Sequence, residues 1–271
     1  MHPLDGPTFK ILRANEHLKK LRTETETFIK ENKHRIVIGE RHVDTDYYSL
    51  RAEVSKPPPI EWGVVVGEIA HDLRSALDGI VWQLVILNRI DPSTLHRPKP
   101  QFPIFLIKEA ESGPCYMRHG KPMIHGRITD KQEALIERLQ PYNRSNPNSD
   151  ALWLLHELNN ADKHRLVQVA AAESSMFVLA ETATSPKMPM RDLMRLIRLH
   201  DPCLLIDGAE AGVIHESLVE HVEMHPKPVP QISFWEGCDA VRGLSVTDTV
   251  ARIGQTVSDI LEKGFARYFP P

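Results

Sequence analysis

Three consecutive prolines, Pro57-Pro58-Pro59, stand directly before the longest helical pattern in the chain, roughly Ile60 to Asn88. Each proline fixes φ and removes an amide donor, so the tripeptide ends the preceding strand and holds the chain extended until a helix can start. A helix over that range runs about 40 Å at 1.5 Å per residue, enough to be the spine on which the remaining elements pack. At 100° per residue, Ile69, Leu73, Ala76, Leu77, Ile80, Leu84 and Leu87 centre on one side. Glu68, His71, Arg74, Ser75 and Asp78 fill an arc of about 120° opposite. Trp82 and Ile86 continue that arc, which predicts a helix apolar nearly all round beyond Asp78 and enclosed there by other elements.

Other segments read more locally. Thr8 can cap a first amphipathic helix carrying Ile11, Ala14, Leu18, Leu21 and Phe28. Arg35 to Ile38 and Tyr47 to Val54, β-branched and aromatic, flank a polar turn with Asp44 and Asp46 and predict a hairpin. Frequent Pro and Gly make residues 92–126 irregular, with a short strand expected at Phe102 to Ile107. Thr129 to Gln132 fits a capping box for a helix ending before Pro141, and Asn148 or Ser149 can cap the next, Asp150 to about Ala161. Short apolar runs at 166–170, 176–180, 203–206, 212–214 and 231–235 read as strands of a small antiparallel sheet. Ser245 starts a last helix with Val246, Val250, Ile253, Val257, Ile260 and Leu261 on one face. The expected fold is α+β and one domain over 1–271. It has a bundle of about four helices (core about 60–165), an N-terminal hairpin, a β-rich part at about 166–240 and a C-terminal helix at 246–268 packing back.

A chain of 271 residues with 41% hydrophobic content can bury a full core without a metal or disulfide staple. Its 33 basic and 36 acidic residues give a net charge of -3, so no global positive field recruits nucleic acid or anionic lipid and any such binding is local. Cys115, Cys203 and Cys238 are odd in number, far apart and without CxxC spacing. That argues against a disulfide framework or zinc knuckle and for a reducing cytoplasm. The opening residues lack the basic and apolar regions of a secretory signal, and no apolar run approaches the roughly 20 residues of a membrane span. Motifs for nucleotide-binding loops and for a nucleophile elbow are missing too.

Chemistry is therefore sought in the polar arc and in the densely polar segment Leu155 to Arg165. If the two meet away from bulk water their charges must pair or shift, because an uncompensated buried charge costs several kcal/mol. Three uses are open, of which an enzyme acting on a phosphate-containing or nucleic-acid substrate is the expected one and a non-catalytic binding or regulatory module the alternative. In one, His71 and His164 form an acid/base pair oriented by Asp78 and Asp162. Arg74, Lys163, Arg165 and Asn159 would then hold a phosphate-containing small molecule or nucleic acid. In the second, Glu68 and His71, on adjacent turns, bind a divalent metal with His156. In the third the residues are ion pairs that latch the bundle to the sheet and catalyse nothing. No membrane partner is expected, and association into a homo-oligomer is left open.

Four segments resemble a group of uncharacterised bacterial proteins: His71 to Asp78 with Trp82, Gln101-Phe102-Pro103-Ile104-Phe105, Leu139-Gln140-Pro141-Tyr142, and Leu155 to Arg165. The resemblance covers roughly Glu68 to Leu166 and implies a bacterial origin, with no established activity attached. Asp72 stands where the group's pattern leads one to expect Asn.

Overall fold

The computed structural model describes residues 2–32, 34–91, 94–95, 98–173, 178–180, 195–200, 203–219, 224–226 and 230–269. Residues 176–177 of the strand expected at 176–180 lie outside them. The fold is mixed α+β. Helix α1 (Asp5–Glu31) starts before Thr8, where Asp5 Oδ2 accepts from His2 N at 2.8 Å, and it buries Ile11, Ala14, Leu21 and Phe28. Strands β1 (His34–Arg41) and β2 (Tyr47–Val54) form the expected antiparallel hairpin. Asp44 in its turn takes a left-handed φ of 60°, a conformation Asp tolerates better than most residues.

The spine is helix α2 (Glu61–Leu87). Leu77, Ile80, Val81 and Leu84 are fully buried, each contributing about 2 kcal/mol of hydrophobic stabilisation. Helix α1 runs antiparallel along one flank. Pro7 lies over Gly79, Arg13 Nε is 3.4 Å from Asp72, His17 is 3.3 Å from Glu68, and Trp62 Nε1 donates to Glu24 at 3.0 Å. Helix α3 (Asp130–Arg138) opens on the expected capping box. Helix α4 (Ala151–Asp162) is capped by Asp150 rather than by Asn148 or Ser149, its carboxylate accepting from Leu152 N at 2.9 Å.

The β-rich part follows in short strands: β3 (Val169–Glu173), β4 (Val178–Ala180), β5 (Ile197–Leu199), β6 (Cys203–Leu205), β7 (Glu210–His215), β8 (Met224–Pro226) and β9 (Pro230–Phe234). They do not form one separate sheet. Strand β7 pairs with β2, so the hairpin becomes half of a four-stranded sheet β1-β2-β7-β5, beside β6-β3-β9 and β4-β8. Helix α5 (Val246–Asp259), capped by Ser245, buries Val246, Val250, Ile253 and Val257 as its pattern predicts. It continues through a π-helical turn (Ile260–Phe265) and a 3-10 turn (Ala266–Tyr268). The expected count of about four helices is too low. Besides α1 to α5 the described residues include a helical turn at Glu216–Val219 and a π-helical turn at Tyr116–Gly120. Among the described residues no helix is long and apolar enough to cross a membrane.

The strand expected at Phe102 to Ile107 is not one. Phe102 and Ile104 are buried, but their segment joins no ladder. Buried backbone must still be hydrogen-bonded, and here side chains supply the partners. Asp78 Oδ1 accepts from Phe102 N (2.9 Å) and Arg74 Nη2 donates to Phe102 O (2.6 Å). Gln140, with no exposed surface, donates to Pro103 O (2.7 Å) and accepts from Phe105 N (3.1 Å).

Candidate functional site

The two polar segments meet because α2 carries glycines one turn apart. The Val167 carbonyl occupies the space a Cβ at position 63 would fill, and the Asp162 carboxylate does the same at Gly67. Glycine is needed where another backbone approaches this closely. The end of α4 and the chain leading into β3 therefore cross α2 at Gly63 and Gly67. That pair is a sequence signal, small residues four apart on a long helix, which reading the polar arc alone overlooks.

Farther along α2, Arg74 pairs with Asp78, and the Arg74 cation acts on His156 of α4. Arg74 Nη2 lies 3.0 Å from Asp78 Oδ1 while both hold Phe102, and Arg74 Nη1 is buried without a hydrogen-bond partner. His156 stacks on Trp153, ring centroids 5.2 Å apart and planes 25° apart. Asn160 Nδ2 donates to His156 Nε2 at 2.9 Å, which places the imidazole proton on Nδ1. His156 and Asn160 sharing a face is what a helix continuing past Asn159 predicts, and Asn159 itself is buried. Burial, with the cations of Arg74 and then Lys163 adding to it, lowers the His156 pKa to about 4, so its ring is neutral at pH 7.

Other nominated residues are not drawn in. Glu68 turns away to His17 of α1, and His71 is exposed with Nε2 3.5 Å from Ser75 Oγ. Lys163, His164 and Arg165 are exposed beyond the last turn of α4, where the His164 and Arg165 amides donate to Ala161 O. Among the described residues no hydrogen bond or ion pair joins His71 to α4. The metal set expected at Glu68, His71 and His156 needs correction. Among the described residues no three His, Cys, Asp or Glu side chains are arranged to hold an ion. One carboxylate faces the wrong helix, and one imidazole is bound by Asn160. Nor is α2 enclosed beyond Asp78, since Trp82 is 37% and Ile86 45% exposed. Helix α1 covers only one flank there.

The chain matches no known family model, no characterised protein and no solved structure. What the site can do is therefore read from its bonds. Gln140 is the residue of consequence that the search for ionisable groups missed. An uncharged amide flanked by Leu139 and Pro141 carries no chemical signature, only a place next to a helix end.

Proposed function

We propose that this chain is a non-catalytic binding or regulatory module of a bacterial cytoplasm, in which the α2–α4 polar cluster is a structural latch. The observation that carries this is the double clamp on Phe102. Arg74 Nη2 and Asp78 Oδ1, which would bind substrate or orient a base, are already spent on backbone atoms and on each other. That no hydrogen bond or ion pair among the described residues joins His71 to α4 supports it, because an acid/base pair works within hydrogen-bond reach of one substrate. Cytoplasmic location draws support from the free, buried thiols of Cys115 and Cys238, and bacterial origin from the four-segment resemblance.

A second reading, an enzyme acting on a phosphate-containing or nucleic-acid substrate, is favoured by one observation. His156 is a neutral imidazole near the Arg74 and Lys163 cations, and its Nε2 lone pair takes a proton once Asn160 releases it. The two readings separate on purified protein incubated with a phosphomonoester, a phosphodiester and single-stranded RNA, with and without magnesium or manganese. The latch expects no turnover above buffer and a marked fall in melting temperature for Arg74→Ala. Turnover abolished by His156→Gln or His164→Ala at unchanged melting temperature overturns it in favour of the enzyme.

A further inference from the structure

Away from the α2–α4 crossing, one face of α3 meets the C-terminal turn. Lys131, Ala134 and Arg138 recur at i, i+3 and i+7, the spacing that puts side chains on one side of a helix. Opposite them stand Arg267 and Tyr268, brought there by the packing of Leu135 against Gly264. Together these residues line a cleft of about 700 Å³.

Its charges are uncompensated. Among the described residues neither Lys131 nor Arg138 has an acidic partner, and the Arg267 guanidinium lies over the Tyr268 ring at 5.1 Å. The one carboxylate lining the cleft, Glu137, is engaged by Lys108 at 2.9 Å, and the nearby Asp130 and Glu262 do not line it. Three cations thus face one space in a chain whose net charge is -3. Folding alone does not reward such an arrangement, because like charges repel, whereas an anion relieves it.

We infer that this cleft binds the phosphate group of a small phosphate monoester. Two guanidinium forks match phosphate oxygens bidentately and Lys131 adds a compact third charge. The exposed methyl of Ala134 and the ring of Tyr268 form the wall for the organic part. The volume lies within the range of small-molecule sites, and three cations in one cleft are not the continuous stripe that tracks a nucleic-acid backbone. This site is independent of the α2–α4 latch and would supply the module with its ligand.

Isothermal titration of the full chain at constant ionic strength tests it with phenyl phosphate, inorganic phosphate, phenol and a DNA oligonucleotide without terminal phosphates. Phenyl phosphate is expected to bind, inorganic phosphate more weakly, and phenol not at all. Arg138→Gln combined with Arg267→Gln, both at exposed positions, is expected to weaken phenyl phosphate at least tenfold with the circular dichroism spectrum unchanged. Lys163→Gln with Arg165→Gln is expected to bind as the wild type does, which shows that the loss is not a general effect of removing two exposed cations, and Arg74→Ala, which breaks the latch, is read separately by its melting temperature. The assignment is overturned by no heat from phenyl phosphate up to about 10 mM, or by binding that survives the arginine pair's removal. Tighter binding of the oligonucleotide, lost in the same variant, overturns it in favour of a nucleic-acid backbone.

Discussion

Two polar regions read alike in the sequence and behave oppositely in the structure. Arg74, Asp78 and Gln140 turn inward and hold the buried segment from Phe102 to Phe105 by its backbone. Asp162 to Arg165, equally dense in charge, is exposed at the end of α4, with the Asp162 carboxylate against Gly67 of α2. The difference lies in what each side chain has to satisfy. The first group faces amides and carbonyls that have lost both water and a sheet partner, so each bond replaces one that would otherwise be missing. The second faces water, which satisfies it at no structural cost.

The largest effect is expected where burial is complete. Gln140→Ala leaves Pro103 O and Phe105 N without partners and opens a hole between α3 and the 102–105 segment. Urea unfolding is expected to show a loss of about 4 kcal/mol, two orphaned backbone groups at about 1–3 kcal/mol each. A loss as small as that of a surface substitution would erase the contrast between the regions.

Next is the pH dependence due to His156. Its pKa is lowered to about 4 in the folded protein against 6.5 when unfolded, so between those values the unfolded chain binds the proton and the folded chain does not. Stability from this group is therefore full above pH 6.5 and falls as pH drops toward 4, by about 3 kcal/mol in all. His156→Gln is expected to flatten that part of the profile in denaturant unfolding measured from pH 4 to 7. An unchanged slope would place the ring in water with the exposed residues.

The glycine crossing sharpens the comparison further. Gly63→Ala puts a methyl into the backbone carbonyl of Val167, which cannot swing aside, and is expected to cost about 2 kcal/mol after the gain in helix propensity. Gly67→Ala meets only the end of the Asp162 side chain, which can rotate into solvent, so the loss and the propensity gain of about 1 kcal/mol are expected to cancel. Equal losses at the two positions would show that the Asp162 side chain is as fixed as backbone. Smallest of all, His164→Ala and Arg165→Ala are each expected to stay within about 0.5 kcal/mol of wild type in the same unfolding experiment.

The central helix after the proline triplet, the capping box at Thr129, the Ser245 cap and the hairpin were all legible, because each depends on residues within one or two turns of one another. The apolar segment at Phe102 misled for the opposite reason. A short apolar run predicts an extended chain correctly, but whether that chain finds a strand or a set of side chains beside it depends on residues such as Gln140, 37 positions from the Pro103 carbonyl it holds. Burial of the spine beyond Asp78 was misjudged likewise, since a helix's own sequence does not reveal how much of its circumference its neighbours reach.

By itself, then, the sequence determined where helices begin, which face of each is apolar and which residues carry charge, since local sterics and periodicity set these. Tertiary structure alone decided the partner of each charge: His17 for Glu68, the Phe102 backbone for Arg74 and Asp78, and Asn160 with Trp153 for His156. The physical reason is that an ionisable side chain bonds to whatever the crossing of elements brings within about 3 Å. In this protein the backbone crossing at Val167 is permitted by Gly63, a residue that carries no charge at all.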